Sequence, residues 1–165
     1  MLIILDDVLE LTELLAIQEY FSVDLNRDMH WVPSTYSGIA EFRSPMSTLL
    51  QVANKYVDLS MMQGAEYWSH FGTKPDWHVD KDEVLCRRTG EVKTPICSIV
   101  YYAKVEALIG GKFLTETEQV TPVQNRMMIF SPNILHGVET YEGYRMSVAI
   151  NPWTYCPENY RGLNA

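Results

Sequence analysis

Hydrophobic residues recur with a helical period in the first third of the chain and with a strand-like period in the rest. After Asp6-Asp7, a fitting N-cap pair, the apolar positions at helical spacing are Val8, Leu11, Leu14, Leu15 and Ile17. A second helix is predicted to begin at Ser44-Pro45, and its buried face holds Leu49, Leu50, Val52, Ala53 and Tyr56. The stretch 24–38 mixes polar and turn residues, which is typical of irregular structure or short strands.

From about Leu59 onward the pattern changes to short runs of β-type residues that are broken by turns. The predicted strands are residues 65–70, 76–80, 96–102, 112–115, 119–123, 127–130, 135–139 and 144–151. Helices followed by closely spaced strands predict an all-β core with flanking N-terminal helices, either a sandwich or a barrel. We expect one domain over residues 1–165, with helical support from 1–58 and the β core from about 59–153.

Composition limits the classes of partner. Hydrophobic residues make up 47% of the chain and charged residues 21%, which is typical of a globular protein. The net charge of −8 disfavours binding to nucleic-acid backbones and to acidic membrane surfaces. The apolar run 1–5 is too short for a signal peptide, and no window approaches the length of a transmembrane helix. Three cysteines without CxxC spacing indicate neither a disulfide framework nor a thiolate zinc site, so we expect a cytoplasmic protein.

Candidate metal ligands stand in His78-Val79-Asp80 and at His136. Residues two apart in a strand share a face, so His78 and Asp80 can reach one ion. Two histidines and one carboxylate form the ligand set of non-haem Fe(II) oxygenases. The alternatives are a surface His and Asp at a strand end, and a core histidine at position 136 bonded to a backbone carbonyl. His136 lies between two predicted reversals, where inward side chains converge.

Arg145 adds a cation on a strand whose two faces differ. One face is polar or small and carries Arg145, Ser147, Ala149 and Asn151. The other is apolar or aromatic and is predicted to pack in a core: Tyr144, Met146, Val148 and Ile150. A buried arginine without a partner costs several kcal/mol, and a bound dicarboxylate would supply that partner in a fork of two hydrogen bonds. A surface arginine on an edge strand is the alternative.

The second half of the chain resembles a known family. The HxD motif, a strand, Gly110-Gly111 and the run NRMMIFSPNILHGVETYEGYRMSVAINPW are similar to the 2-oxoglutarate/Fe(II)-dependent dioxygenase superfamily. The likeness is greatest to its prolyl 4-hydroxylase-like branch and short bacterial and phage members, and it covers roughly residues 65–153. It implies a double-stranded β-helix, a jelly-roll or cupin-like fold, forming one dioxygenase domain. A simple turn at Gly110-Gly111 is equally consistent.

The resemblance also assigns roles to the candidate residues. It implies that His78, Asp80 and His136 bind Fe(II). It implies that Arg145 pairs with the distal carboxylate of 2-oxoglutarate and that Ser147, of the Arg-x-Ser element, makes a second contact. These residues would thus hold both the metal and the co-substrate.

The resemblance also concerns aromatic residues on the strands beside these positions. Tyr102 stands where relatives offer a tyrosine hydroxyl to the same carboxylate, and Tyr101 would then face the packed layer, although the register leaves the swap open. Many relatives carry a tyrosine near Trp68, and the neighbouring Tyr67 leaves that contact unassigned. His70 is interpreted as a structural or substrate-side residue and not as a ligand.

The implied activity is hydroxylation of an organic substrate with 2-oxoglutarate and O2, releasing succinate and CO2, with ascorbate as an accessory reductant. The expected substrate is a peptidyl residue such as proline, or a free small molecule or amino acid. The polar stretch 81–95 is either a loop that covers the substrate or a solvated loop without a role. A cupin-type metalloenzyme that does not use 2-oxoglutarate and a non-catalytic, metal-stabilised binding module remain alternatives. The oligomeric state is not predicted.

Overall fold

A computed structural model describes residues 1–23, 28–34, 46–70 and 77–161. Within these ranges the strands are β1 (Leu2–Leu5), β2 (His30–Pro33), β3 (Gly64–His70), β4 (Ser98–Gly110), β5 (Phe113–Thr115), β6 (Gln119–Val120), β7 (Arg126–Phe130), β8 (His136–Val138) and β9 (Tyr141–Trp153). The helices are α1 (Leu11–Ser22), α2 (Met46–Ala53), α3 (Glu83–Thr89) and a 3-10 helix (Glu158–Tyr160). None of the helices in the described ranges has the length and apolar character needed to span a bilayer.

The strands form two antiparallel sheets. The larger sheet has the order β1-β7-β4-β9-β3-β2, and the smaller has the order β6-β5-β8. A single antiparallel bridge between His78 and His136 extends the smaller sheet beyond β8. The predicted all-β core with helices packed beside it is therefore confirmed. The first 58 residues contribute more than helices, because β1 and β2 form the two edges of the larger sheet.

The larger sheet packs differently on its two faces because side chains alternate along each strand. Its outer face joins α1 and α2 in the main core, where buried residues include Ile17, Leu49, Tyr101, Ile129 and Val148. Its inner face and the smaller sheet enclose a second apolar cluster of Tyr102, Phe113, Val120, Met128 and Phe130. The inner face also carries the polar residues of the site.

The predicted start of the first helix is wrong. The helix begins at Leu11 with Glu10 as its N-cap, because the apolar run before it forms β1 and pairs with β7. Asp6 pairs with Arg126 at 2.6 Å and Asp7 has a left-handed φ of 51°, so these two residues form a turn. The predicted apolar face is shifted as well. Leu14, Ile17 and Phe21 are buried, whereas Leu11 and Leu15 are exposed.

Other predicted elements change in extent. The Ser44-Pro45 cap and Asp76 lie outside the described residues, and residues 77–80 form only the bridge at His78 in place of the predicted strand. The strand that begins near residue 96 continues to Gly110, through register shifts between Tyr102 and Lys104 and between Glu106 and Ile109. Tyr56 and Tyr144 are exposed, so neither packs in the core as predicted.

The stretch 81–95 contains a helix, α3, that the sequence pattern did not predict. Asp82 is its N-cap and accepts a hydrogen bond from the Leu85 amide at 3.0 Å, and Gly90 ends it with a φ of 77°. Leu85 is the buried residue of this helix, so it shows no apolar periodicity. Arg88 pairs with Glu158, which anchors α3 to the C-terminal segment.

Asn125 fastens the N-terminal segment to the core, and its replacement should be costly. Its side chain accepts from the Leu9 amide and the Tyr101 hydroxyl at 3.0 and 2.8 Å and donates to the Leu9 carbonyl at 2.9 Å. At about 1 kcal/mol per hydrogen bond, Asn125→Ala should lower the free energy of unfolding by about 3 kcal/mol and Tyr101→Phe by about 1 kcal/mol. Urea unfolding measures both, and equal losses would contradict this account.

Candidate metal centre

His78 and His136 are held together by their backbones. The His78 amide donates to the His136 carbonyl at 2.9 Å, and the His136 amide donates to the His78 carbonyl at 2.9 Å. The Asp80 amide donates to the carbonyl of Pro132 at 3.2 Å, and this hydrogen bond holds Asp80 beside the turn that precedes His136. The two imidazole rings consequently lie 4.3 Å apart between their centroids.

The three side chains offer one ligand atom each to a common point. His78 Nε2 lies 3.6 Å from Asp80 Oδ1, and His136 Nε2 lies 3.9 Å from Asp80 Oδ2. The ligand atoms of all three lie within 4.8 Å of one another. Ligand atoms about 2.1 Å from one ion are at most about 4.2 Å apart, so both carboxylate–imidazole distances fit a shared divalent metal.

Neighbouring groups prepare these side chains for a cation. His136 Nδ1 lies 2.9 Å from the Ile134 carbonyl, which favours the tautomer that leaves Nε2 free to bind metal. The Ser98 hydroxyl donates to Asp80 Oδ2 at 2.5 Å, which orients the carboxylate. The His136 ring lies against Phe113 and Phe130, with centroids 5.3 and 4.9 Å away. The His136 ring therefore has apolar neighbours in Phe113 and Phe130, whereas the Asp80 carboxylate has a polar neighbour in Ser98.

The electrostatics favour the protonation states that bind metal. Burial alone would raise the pKa of the Asp80 carboxyl, but the two adjacent imidazoles and the Ser98 hydroxyl outweigh burial and lower it. Burial lowers the pKa of His136, although the Asp80 carboxylate opposes the shift. An ionised carboxylate and a neutral imidazole are the forms that coordinate a divalent ion.

Arg145 lies in the same pocket as the three candidate ligands and is 2% exposed. One guanidinium nitrogen, Nη1, donates to the Gly111 carbonyl at 2.9 Å, and the guanidinium carbon lies 4.6 Å from the centre of the Tyr141 ring. Its Nε is buried without a hydrogen bond, and no carboxylate of the described residues pairs with it. Gly110 and Gly111, with φ of 79° and 74°, make the turn that presents this carbonyl.

A row of polar side chains crosses the inner face next to Arg145. Ser147 on β9 is opposite Tyr102 on one side and His70 on the other, and all three line the pocket. Burial raises the pKa of Tyr102 to about 12, partly offset by Arg145, so its hydroxyl remains a donor. Burial and the nearby Arg145 lower the pKa of His70 to about 4, so its imidazole is neutral.

The structure decides two alternatives that the sequence left open. Tyr102 and Trp68 line the pocket, whereas Tyr101 and Tyr67 belong to the core beside the helices. Trp68 Nε1 donates to His70 Nε2, and His70 does not belong to the three-residue ligand cluster.

Sequence reasoning missed Ser98 and Tyr141. Ser98 lies on the predicted strand 96–102 and shares strand parity with Tyr102, so alternation alone would have placed it on the inner face. Tyr141 precedes the predicted strand 144–151, and only the observed extension of β9 to Tyr141 brings it beside Arg145.

Glu66 lies on the same inner face of β3 as Trp68, opposite Asn151 on β9. It is 7% exposed, and its Oε2 accepts from Trp153 Nε1 at 2.7 Å. Burial raises the pKa of Glu66 to about 7, although the Trp153 hydrogen bond acts in the opposite direction. The inner face therefore buries a carboxyl group at the end away from Arg145.

Comparison with models of known protein families gives no match, and a search among curated proteins gives none either. Among solved structures, a prolyl 4-hydroxylase from Pseudomonas putida aligns with a TM-score of 0.62 at 15% identity, covering 94% of this chain and 93% of that chain. A 2OG-Fe(II) oxygenase family oxidoreductase from Burkholderia pseudomallei aligns with a TM-score of 0.57 at 11% identity, covering 93% and 84%.

HygX from Streptomyces hygroscopicus, with nickel and 2-oxoglutarate bound, aligns with a TM-score of 0.51 at 10% identity, covering 94% and 84%. At these identities the likeness concerns the fold. The neighbours include prolyl 4-hydroxylases and 2-oxoglutarate/Fe(II) oxygenases, whose fold is the double-stranded β-helix. The fold predicted from the sequence resemblance is thereby confirmed.

Replacement of His136 should weaken metal binding more than replacement of Ser98. His136→Ala removes a ligand, whereas Ser98→Ala removes only a group that orients Asp80, and such supporting groups typically contribute about 10- to 100-fold in affinity. We expect Ser98→Ala to weaken Fe(II) binding within that range and His136→Ala to weaken it further. Anaerobic calorimetric titration measures both. His30→Ala, on β2 and outside the ligand cluster, is the control and should bind like the wild type.

The buried Glu66 carboxyl predicts a pH dependence of stability. Its pKa is about 7 in the folded chain against an ordinary value of 4.5, so the folded state holds a proton that the unfolded state releases. This contribution to stability is present below pH 4.5 and is lost as the pH rises towards 7. Glu66→Gln removes the loss, so the melting temperature of the metal-free variant should rise relative to wild type between about pH 5 and 8. If the melting temperatures of the variant and the wild type differ by the same amount at every pH in that interval, the assignment is refuted.

Proposed function

We propose that this chain is an Fe(II)- and 2-oxoglutarate-dependent dioxygenase that hydroxylates an organic substrate and releases succinate and CO2. The observation that carries the proposal is the buried guanidinium of Arg145, which has no carboxylate partner among the described residues and shares a pocket with the cluster His78, Asp80 and His136. A metal-binding site alone would be compatible with many classes of enzyme. A metal-binding site beside a buried cation that has no carboxylate partner among the described residues is suited to a co-substrate that both chelates the metal and carries a negative charge.

His78, Asp80 and His136 would hold ferrous ion and leave the remaining coordination positions for other ligands. With iron and 2-oxoglutarate bound, the site supplies oxidative decarboxylation of the co-substrate by O2 and transfer of one oxygen atom to the substrate. The chain's contribution is to bind, orient and exclude water. Burial lowers the pKa of His136 and so favours the neutral ring, and donation from Nδ1 to the Ile134 carbonyl would leave Nε2 free to bind the metal.

The co-substrate is oriented by the other end of the pocket. Arg145 would bind the distal carboxylate, since Nη1 is held by the Gly111 carbonyl and Nε has no hydrogen-bond partner among the described residues. An Arg–carboxylate fork would restrict rotation as well as distance. Tyr102 and Ser147 add hydroxyl donors from the adjacent strand and from β9. Burial keeps these hydrogen bonds strong, because the apolar wall formed by Phe113 and Phe130 excludes competing water.

The substrate class is the least determined part of the proposal. A peptidyl prolyl residue is the first candidate, since a neighbour in fold is a prolyl 4-hydroxylase. A free small molecule or amino acid is the second. Ascorbate belongs in the assay because it keeps iron ferrous between turnovers.

Arg145→Ala should raise the KM for 2-oxoglutarate about 100-fold, because it removes two charge-assisted hydrogen bonds and leaves a buried void. Succinate released in the absence of prime substrate measures this without knowledge of the substrate. Arg126→Ala, which removes an arginine paired with Asp6 at the surface, is the matched control and should leave KM unchanged.

Two outcomes would reject the proposal. If Arg145→Ala leaves KM unchanged while turnover persists, the guanidinium does not bind the co-substrate, and a cupin-type enzyme independent of 2-oxoglutarate becomes the better account. If the wild type forms no succinate beyond that of His78→Ala, the chain is a binding module and not this class of enzyme.

A further inference from the structure

A second cavity of about 160 Å³ adjoins the candidate metal centre. Its wall shares Trp68, His78, Asp80 and Asn151 with the pocket that holds Arg145. The rest of the wall comes from Met29, from Glu66 on β3, from the segment between His78 and the start of α3, and from the C-terminal segment. A molecule in this cavity would therefore lie beside the metal without occupying the co-substrate end.

Most charges in this wall are already balanced. Asp82 accepts hydrogen bonds from the Leu85 amide, the Tyr155 hydroxyl and the Glu158 amide, at 3.0 to 3.1 Å. Glu83 pairs with Lys81 at 2.8 Å. Asp80 belongs to the candidate metal ligands. Asp82 and Glu83 thus have partners in the described chain and Asp80 would bind the metal, so none of the three requires another cation.

Glu66 is different. Its Oε2 accepts one hydrogen bond from a neutral indole, and its Oε1 accepts none from the described residues. No cation of the described chain pairs with it, although it lines the cavity and is more than nine-tenths buried. The buried Tyr160 hydroxyl lies near enough to lower the pKa of Glu66 slightly, but it is neutral and supplies no counter-charge. A buried carboxylate without a counter-charge is costly, and a bound cation would remove that cost.

The two unbalanced charges lie at opposite ends of the inner face. Asn151, which is opposite Glu66, is six positions beyond Arg145 on β9, which corresponds to roughly 20 Å along a strand. Two of the candidate metal ligands, His78 and Asp80, line both cavities, so the candidate metal centre stands between the ends. A dianionic co-substrate is attracted to the Arg145 end and repelled from the Glu66 end, which leaves the latter for a ligand of opposite charge.

We propose that the prime substrate carries a protonated amine or guanidinium, which binds the Glu66 carboxylate in this cavity and holds the neighbouring carbon at the metal centre. This inference rests on the proposed function, because it assigns the second cavity to the substrate of that reaction. The pKa of Glu66, raised by burial to about 7, agrees with a carboxyl that a bound cation would keep ionised.

The test compares two probes of similar size and different charge, n-butylammonium and 1-pentanol. Binding is followed by the fluorescence of Trp68 and Trp153, which line or contact the Glu66 end. Titrations are made on the purified protein alone and with anaerobic Fe(II) and 2-oxoglutarate. A charge-assisted hydrogen bond in a buried site predicts that n-butylammonium binds at least about tenfold more tightly.

Glu66→Gln should reduce that preference to within about twofold, since it keeps the size of the side chain and removes its charge. Glu106→Gln is the matched control, because it removes one negative charge from a surface residue paired with Lys104. It should retain the full preference. Equal binding of the two probes to the wild type would overturn the inference and needs no variant to fold. The inference would also be overturned if Glu66→Gln kept the full preference for n-butylammonium over 1-pentanol. The same holds if Glu106→Gln lost that preference to the same extent as Glu66→Gln.

Failure of this inference is distinguishable from failure of the proposed function. Succinate formation that depends on His78, together with equal binding of both probes, would reject the cationic substrate and retain the dioxygenase. Cation preference that depends on Glu66, without succinate formation, would reject the dioxygenase and retain a cation-binding cavity.

Discussion

The reciprocal backbone pairing of His78 with His136 is the constraint on which the candidate site depends. These residues come from segments that are far apart in sequence, and two amide–carbonyl hydrogen bonds of 2.9 Å set the distance between their Cα atoms. The Pro132 carbonyl, in the turn that precedes His136, accepts a hydrogen bond from the Asp80 amide and holds Asp80 beside the two histidines. Side-chain rotation alone cannot bring three ligand atoms together, so the backbone determines the geometry and the side chains complete it.

Side-chain alternation along the strands of the larger sheet places the core residues on one face and the pocket residues on the other. Met146, Val148 and Ile150 face the helices and bury apolar surface, whereas Arg145 and Ser147 face the pocket. The cost of burying polar groups on one face is offset by hydrophobic burial on the other. This division is local in sequence, since it depends only on a period of two. It could therefore be predicted from the chain alone.

The parts that the sequence did not predict depend on tertiary contacts or lack a periodic signal. β1 is a strand because β7 offers it a partner, and that pairing moves the helix start from Asp7 to Glu10. The helix α3 buries only Leu85, so its signals are the capping residues Asp82 and Gly90. The register shifts in β4 follow from its long pairing with β9, which local sequence does not encode. Tyr102, Arg145 and Ser147 follow strand alternation, whereas the approach of His78 and Asp80 to His136 depends on backbone contacts between segments that are distant in sequence.

The inner face buries two charges that the described chain leaves without ionic partners, Arg145 and Glu66. In a protein that serves only as a scaffold, apolar residues of similar size would be at least as stable at such positions. Under the two proposals above, a ligand of opposite charge would balance each group, and a ligand that binds only the folded state would also stabilise it. The anionic co-substrate would then lie at the Arg145 end and the cationic substrate at the Glu66 end, with the candidate metal ligands between them.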